Sequence, residues 1–179
     1  DTDGDGIPHR TYPGTHHKGA YFVRGSGHNQ YGGYTEDAEE YQQVVDRLLV
    51  KWNTARDLVP APVLTRAKQK SSIGIIAFGS SDGAVTEAMD RLADAGIHAD
   101  YLRLRGFPFA DAVTEFIDAH DTVFVIEQNR DAQMRLMLIQ ETGAEPSRLV
   151  SLLHYIGMPI PSDTVFDGIR KHLSKEAAA

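Results

Sequence analysis

The 179-residue chain contains no cysteine. It therefore cannot form a disulfide, a thiolate nucleophile, a thiolate-bound structural zinc or an all-cysteine iron–sulfur cluster. We expect any such centre to lie on a partner.

Long apolar runs and an excess of basic residues are also missing. The longest apolar runs, such as those at 75–78 and 123–126, are far shorter than the roughly 20 residues that a membrane-spanning helix needs. Lys plus Arg number 18 against 25 Asp plus Glu, a formal charge of -7, which argues against a phosphate-neutralising surface. With 41% hydrophobic and 24% charged residues, the composition is that of a globular protein with neither nucleic acid nor membrane as a partner.

The first part of the chain has no regular periodicity. It opens with aspartate instead of methionine and carries no signal-peptide pattern, so we expect a piece of a longer cytoplasmic polypeptide. Residues 1–34 are rich in glycine and aromatic residues. Irregular stretches of this length are uncommon in compact domains, and this composition favours an arm that packs on a domain outside this chain.

A long helix is predicted from Asp37 to about Leu58. Tyr41, Val45 and Leu48 recur at steps of three and four, and Asp37 with Glu40 offers a capping box. Prolines 60 and 62 end the helix and a polar linker follows. We therefore predict a division into residues 1–64, the arm and connecting helix, and residues 65–179, a separate domain.

The second part alternates between strand and helix patterns. Short apolar runs at 73–78, 101–104, 122–126 and 149–153 are each followed by a stretch of helical periodicity. This order predicts an α/β fold, a three-layer α/β/α sandwich with a mostly parallel sheet. The helix containing residues 134–139 is so broadly apolar that we expect it to be covered on more than one side.

Ligands of such sheets bind preferentially at the carboxyl ends of the strands. The candidate ligand-binding segments are therefore the turns at 79–83, 105–109, 127–131 and 154–158. The turn at 79–83 suits either a phosphate or a plain helix cap. The cluster Glu127-Gln-Asn-Arg-Asp131 suits a polar ligand, a neighbouring subunit, or helix capping with a structural ion pair.

No metal site or self-sufficient active site is predicted. Asp1, Asp3 and Asp5 imitate half of a calcium loop, but position twelve is Tyr12 instead of glutamate. The histidines of the arm have irregular spacings without helix or hairpin support. No Ser-His-Asp order is diagnostic.

Several motifs resemble α subunits of 2-oxoacid:ferredoxin oxidoreductases, and the 2-oxoglutarate type in particular. The resemblance covers nearly the whole chain. It rests on DGIPHRTYPG at 5–14, KGAYF at 18–22, RGSGH at 24–28, YTED at 34–37, LVPAP at 58–62, RLRGFPF at 103–109 and VIEQNRDAQ at 125–133.

This resemblance implies an enzyme complex that joins oxidative decarboxylation of a 2-oxoacid to acylation of coenzyme A, with electrons passing to ferredoxin. Thiamine diphosphate would lie between the pyrimidine-binding domain of α and the diphosphate-binding β subunit, and β would carry Mg²⁺ and the iron–sulfur cluster. The chain itself would be a transketolase-C-like domain with no catalytic residue, cofactor or metal of its own.

The residues expected at an interface or at the edge of the active site are Arg24, His28, Glu127, Asn129 and Arg130. The alternative hypothesis is a free-standing α/β module that binds a phosphate-bearing metabolite through the Gly79 and Gln128 turns.

Overall fold

The computed structural model describes residues 3–19 and 25–178. The chain divides into two compact units, Asp1–Val59 and Pro60–Ala179. The observed division falls somewhat earlier than residue 64, because the residues just after Pro62 join the sheet of the second unit.

The first unit consists of an irregular arm and one long helix, as its sequence pattern predicts. Helix α1 spans Ala38–Leu58, and the Asp37 side chain accepts hydrogen bonds from the N–H groups of Glu39 and Glu40. Glu40 does not complete a capping box, because the Asp37 N–H donates to the Thr35 hydroxyl. No residue of α1 is buried, so the helix gains little from packing within the described chain.

The arm is attached to one side of α1 through its backbone. The Thr54 hydroxyl donates to the Asp5 carbonyl and the Arg47 guanidinium donates to the Gly6 carbonyl. Gly6 has a φ of +79°, and a Cβ there would overlap the backbone of Lys51. Only glycine fits this close approach.

The second unit is a five-stranded sheet flanked by helices. Its strands are β1 (Val63–Thr65), β2 (Ile73–Phe78), β3 (Asp100–Leu104), β4 (Thr122–Glu127) and β5 (Leu149–Leu153). Its helices are α2 (Asp82–Asp94), α3 (Asp111–Asp118), α4 (Gln133–Thr142) and α5 (Ser162–Glu176).

The strand order is β1-β3-β2-β4-β5. All neighbouring strands are parallel except β1, which runs antiparallel to β3 with Leu64 opposite Leu102. The predicted parallel α/β sheet is confirmed, and β1 is an edge strand that the sequence pattern does not predict.

Two apolar layers confirm the three-layer sandwich. On one face, Ile75 and Phe124 of the sheet pack in a core with Val85 of α2 and Ile169 of α5. On the other face, strand residues such as Val125 pack in a core with residues of α3 and α4. The alternation follows from the opposite orientation of successive side chains in a strand.

Helix α4 is only partly covered within the described chain. Leu138 is buried, whereas Leu136 and Met137 are exposed. The expected cover on further sides of this helix stays a prediction. No helix in the described ranges is long and apolar enough to cross a membrane.

Candidate functional site

The carboxyl ends of β2 and β4 meet where the winding of the sheet reverses. The two strands are neighbours, and the helices that follow them, α2 and α4, pack on opposite faces. In doubly wound sheets this switch point is the usual position for a ligand. It brings together two of the predicted turns, 79–83 and 127–131.

Gln128 bridges the switch point with its side chain. Its Nε2 atom donates to the hydroxyl oxygens of Ser80 and Ser81, at 3.1 Å each. Ser81 is buried, and Gly79 takes a left-handed conformation (φ +59°) that forms the turn. The amide group that could bind a metabolite is therefore used to tie the two turns together.

Glu127 is completely buried at the end of β4. Its carboxylate accepts hydrogen bonds from the backbone N–H groups of Met134 (2.7 Å) and Arg135 (3.0 Å), and from Nδ2 of Asn129 (2.7 Å). A carboxylate at the first turn of a helix is stabilised by the free N–H groups and by the helix dipole. Glu127 thus caps α4 from the preceding strand.

Asn129 and Arg130 complete this loop. The Asn129 side-chain oxygen accepts from the N–H of Asp131 (3.0 Å) and of Gln133 (3.3 Å). The exposed Arg130 guanidinium forms an ion pair with Asp131, with Nε 2.7 Å from Oδ1. The interpretation of this cluster as a capping loop with an ion pair agrees with these contacts.

The loop reaches α4 through a strained residue. Ala132 has a φ of +53° and is the only residue other than glycine with a positive φ in the part of the chain that the structure describes. L-residues adopt this left-handed conformation at a cost. The hydrogen bonds of Glu127 and Asn129 on either side hold it in place.

A second polar cluster lies beside the same turn and was not predicted from the sequence. The Tyr101 hydroxyl donates to Oδ1 of Asp82 at 2.9 Å, and Nη1 of Arg103 lies 3.0 Å from Oδ2. Burial of Tyr101, followed by its hydrogen bond to Asp82, raises the pKa of the phenol. The Asp82 carboxylate at the start of α2 is therefore paired within the chain, with Tyr101 on one oxygen and Arg103 on the other.

Two of the expected site residues, Arg24 and His28, belong to the arm. His28 belongs to the first unit, where its Nδ1 atom lies 2.9 Å from the Asn29 carbonyl oxygen and its backbone bridges to Tyr34. Arg24 lies outside the described residues. The structure therefore brings together Glu127, Asn129 and Arg130, and their role at an interface stays a prediction.

The aspartates at the start of the arm form a turn. Oδ1 of Asp5 accepts from the Ile7 N–H at 2.8 Å, and Asp3 lies 4.0 Å from the His9 ring. Asp1 lies outside the described residues. Within residues 3–19 and 25–178, no three metal-ligating side chains are grouped.

No family model matches the chain. It is 28% identical over 155 residues to the α subunit of a 2-oxoacid:ferredoxin oxidoreductase of Saccharolobus solfataricus, which covers 84% of this chain and 24% of the relative. It is 25% identical over 173 residues to the α subunit of 2-oxoacid:ferredoxin oxidoreductase 2 of Aeropyrum pernix. This match covers 94% of this chain and 26% of the relative. A third relative is the 2-oxoglutarate synthase subunit KorA of Archaeoglobus fulgidus, which is 32% identical over 104 residues. This match covers 57% of this chain and 28% of the relative.

Solved structures share the fold. A 2-oxoglutarate:ferredoxin oxidoreductase from Magnetococcus marinus, with 2-oxoglutarate, coenzyme A and succinyl-CoA bound, superposes with a TM-score of 0.78 at 21% identity, over 93% of this chain and 29% of that one. A split-gene transketolase gives a TM-score of 0.51 at 17% identity, over 63% of this chain and 41% of that one.

The chain spans about a quarter of the length of the curated relatives that it matches. Over most of its own length it is similar to α subunits of 2-oxoacid:ferredoxin oxidoreductases, and the predicted resemblance is confirmed.

Proposed function

We propose that this chain is the structural domain of the α subunit of a 2-oxoacid:ferredoxin oxidoreductase and that it serves assembly instead of catalysis. The observation that carries the proposal is the similarity to two such α subunits over 84% and 94% of the chain. The reaction of the complex would convert a 2-oxoacid and coenzyme A to an acyl-CoA and CO₂, with reduction of ferredoxin in the cytoplasm.

2-Oxoglutarate is the substrate that we propose, with succinyl-CoA as the product. Support comes from the relative named 2-oxoglutarate synthase and from the Magnetococcus enzyme that holds 2-oxoglutarate. The side chains that select the substrate would lie on other parts of the complex.

The polar groups at the switch point support a structural role. Glu127 caps α4, Gln128 bridges two serines, and Asp82 pairs with Arg103. A general acid, base or nucleophile needs a free lone pair or proton directed toward the substrate. These groups direct theirs toward one another.

We propose that the partners, and not this chain, hold the cofactors of the complex. An iron–sulfur cluster needs thiolates, and the sequence has none. Mg²⁺ needs oxygen ligands that are free to coordinate it, whereas the buried carboxylate of Glu127 already accepts three hydrogen bonds. We therefore assign thiamine diphosphate, Mg²⁺ and the cluster to the partners and derive no step through them here.

The partners that we propose are the pyrimidine-binding part of an α subunit and the β subunit. The arm and α1 support this, because Val45 and Leu48 are exposed apolar residues of the helix and the first part of the arm is attached elsewhere, at Arg47 and Thr54. Tyr41 is also exposed but lies beside Gly27 of the arm. We also retain Arg24, His28, Glu127, Asn129 and Arg130 as residues near an interface or near the edge of the active site.

Reconstitution tests the proposed function. The chain is combined with the other subunits of the complex, and reduction of a viologen dye that depends on 2-oxoglutarate and coenzyme A is followed without oxygen. We expect activity only when the chain is present. If the other components assemble and work equally well without it, the bracing role is wrong and a metabolite-binding module becomes the better hypothesis.

A further inference from the structure

A buried carboxylate at the amino end of the sheet holds the linker (residues 66–72) that joins β1 to β2. Asp100 is the first residue of β3, and its carboxylate accepts hydrogen bonds from Nη1 of Arg66 (2.6 Å) and from the backbone N–H of Ala67 (2.8 Å). His120, just after α3, lies against the same carboxylate. We call these four residues the Asp100 clamp.

His120 closes the Asp100 clamp and lies between two hydrogen-bond acceptors. Its Nδ1 atom is 2.6 Å from the Phe116 carbonyl oxygen, and its Nε2 atom is 3.3 Å from Oδ2 of Asp100. A ring carbon does not approach an oxygen to 2.6 Å, so this contact fixes the orientation of the ring. A carbonyl oxygen and an ionised carboxylate can only accept. Both ring nitrogens therefore donate, which makes His120 an imidazolium.

Asp100 does not supply the proton for this contact. Burial raises the pKa of Asp100, but its hydrogen bonds to Ala67, Arg66 and His120 outweigh burial, and the pKa lies below its ordinary value. The carboxylate is therefore ionised at neutral pH. The proton between the two side chains belongs to the histidine.

The His120 ring has little room to turn if it loses a proton. Its side chain is only 1% exposed, and its ring lies on the Phe116 ring with centroids 4.3 Å apart. On the side of β2, a Cβ at Gly74 would come within 3.2 Å of Cγ of His120. Loss of the Nε2 proton would leave a lone pair facing the Asp100 carboxylate in a buried position, which is unfavourable.

The charges nearest to His120 act in opposite directions. The Asp100 carboxylate of β3 favours the imidazolium, whereas the Arg66 guanidinium on the same carboxylate oxygen disfavours it. β2 faces the ring with Gly74, which has no charge. Because Asp100 contacts the ring directly, its attraction is the stronger of the two.

Charged groups at the end of α3 and in the loops beside it are exposed or paired. Asp118 lies 3.7 Å from the Arg148 guanidinium. Asp121, which follows His120, is exposed, and His98, in the loop before β3, is partly exposed. Water and salt screen such charges, so they affect His120 less than Asp100 does.

We propose that the Asp100 clamp is a pH-sensitive device that fastens the linker and β1 to the sheet while His120 is an imidazolium and loosens when the pH rises. Histidine is the side chain whose charge changes closest to neutral pH. β1 has only three residues, all of them exposed, and its last residue, Thr65, directly precedes Arg66. The strand therefore depends on the clamp at that end. This inference does not depend on the proposed function.

The direction of the effect follows from proton linkage. The folded chain holds the second ring proton of His120 through Asp100, a partner that the unfolded chain lacks. The contribution of His120 to the free energy of unfolding is therefore present at lower pH and is lost as the pH rises.

NMR spectroscopy of the nitrogen-labelled chain tests the proposal. Long-range proton–nitrogen spectra show how many protons each imidazole carries, and the signals that disappear in His120→Gln identify His120. His98→Gln is the matched control, because it removes a partly exposed histidine near the same end of the sheet. Urea unfolding of the three proteins at about pH 6 and about pH 9 gives their unfolding equilibrium constants.

We expect His120 to carry protons on both ring nitrogens at about pH 7, and the Ala67 amide signal to shift when one is lost. The unfolding constant of the wild type relative to His120→Gln should rise at least about fivefold from pH 6 to pH 9, whereas the constant relative to His98→Gln should stay the same.

Three results would overturn the inference. One is a single protonated nitrogen on His120 at neutral pH. Another is a ratio to His120→Gln that does not change with pH, or that changes no more than the ratio to His98→Gln. The third is loss of the proton without any change in the signals of Ala67 and β1. If His120→Gln does not fold, through-space contacts to the Phe116 ring identify His120 in the wild type, and the Ala67 signal decides.

Discussion

Glu127 is the residue on which the loop after β4 depends. Its carboxylate serves two backbone N–H groups and one side-chain amide in a fully buried position. All three partners are donors, so only a group that accepts on both oxygens satisfies them. Of the roles that the sequence left open for this cluster, a polar ligand, a neighbouring subunit or helix capping, the structure shows Glu127 in the capping role.

Glu127→Gln should destabilise the protein by about 3 kcal/mol, because the new NH₂ group faces donors and the charge at the start of α4 is lost. Urea unfolding followed by circular dichroism measures the effect. Glu141→Gln, an exposed position in the same helix, is the control and should change stability by less than about 0.5 kcal/mol. Equal effects at both positions would contradict the capping role.

Asp100 supplies a second buried carboxylate, near the amino end of the sheet. Its burial alone raises the pKa, but the N–H of Ala67 (2.8 Å), the Arg66 guanidinium (2.6 Å) and the His120 ring (3.3 Å) outweigh that effect. The net result is that the pKa of Asp100 lies below its ordinary value of 3.8.

A lowered pKa in the folded state makes stability depend on pH in a defined direction. The contribution of Asp100 is fully present above about pH 4 and is lost as the pH falls through its lowered pKa. The free energy of unfolding of the wild type minus that of Asp100→Asn should therefore be largest at neutral pH and shrink toward pH 3. A difference that stays constant over this range would show that the carboxylate is not held by these contacts.

At the scale of elements, the arm depends on its crossing of α1 at Gly6. Gly6→Ala should free the arm, because the added Cβ overlaps the Lys51 backbone. Tryptic cleavage after Arg10, followed by mass spectrometry, should become several-fold faster.

Gly4→Ala is the matched control for this change. Gly4 also has a positive φ, +75°, but nothing lies within 4 Å of a Cβ placed there. This substitution carries the backbone strain without the overlap. Similar cleavage rates in the two variants would mean that strain, and not the close approach, holds the arm.

The elements that the sequence predicts are those with a strong local pattern. The four parallel strands and the five helices follow from apolar periodicity and from cap residues such as Asp37 and Gly143. Strand β1 has only three residues beside two prolines, and its strand conformation depends on pairing with β3. No local pattern contains that information.

The candidate site was predictable in position but not in detail. The strand ends at 79–83 and 127–131 do meet. The cluster of Asp82, Tyr101 and Arg103 was missed because it joins residues of two elements, and Tyr101 in a strand has the appearance of an ordinary core residue. Tertiary contacts decide which polar groups are used internally.

At the scale of the whole chain, buried apolar side chains are confined to one unit. All those found in the described residues lie from Ile75 onward. The second unit therefore has a core of its own, whereas α1 relies on local hydrogen bonds.

Hydrogen exchange of the isolated chain should show this contrast. We expect backbone amides of β2 and β4 to exchange at least about a thousandfold more slowly than those of α1. Joining the chain to its partner subunits should slow exchange in α1, as the proposed packing requires. Strong protection of α1 in the isolated chain would contradict the exposure described here.

The left-handed Ala132 offers a route to a more robust protein for engineering. Glycine adopts this conformation without the penalty that the alanine methyl group incurs, so Ala132→Gly should recover up to about 1 kcal/mol. For a chain of this size that corresponds to a melting temperature higher by about 2–4 °C, which differential scanning calorimetry can detect. An unchanged or lower melting temperature would mean that the greater freedom of glycine in the unfolded chain cancels the gain.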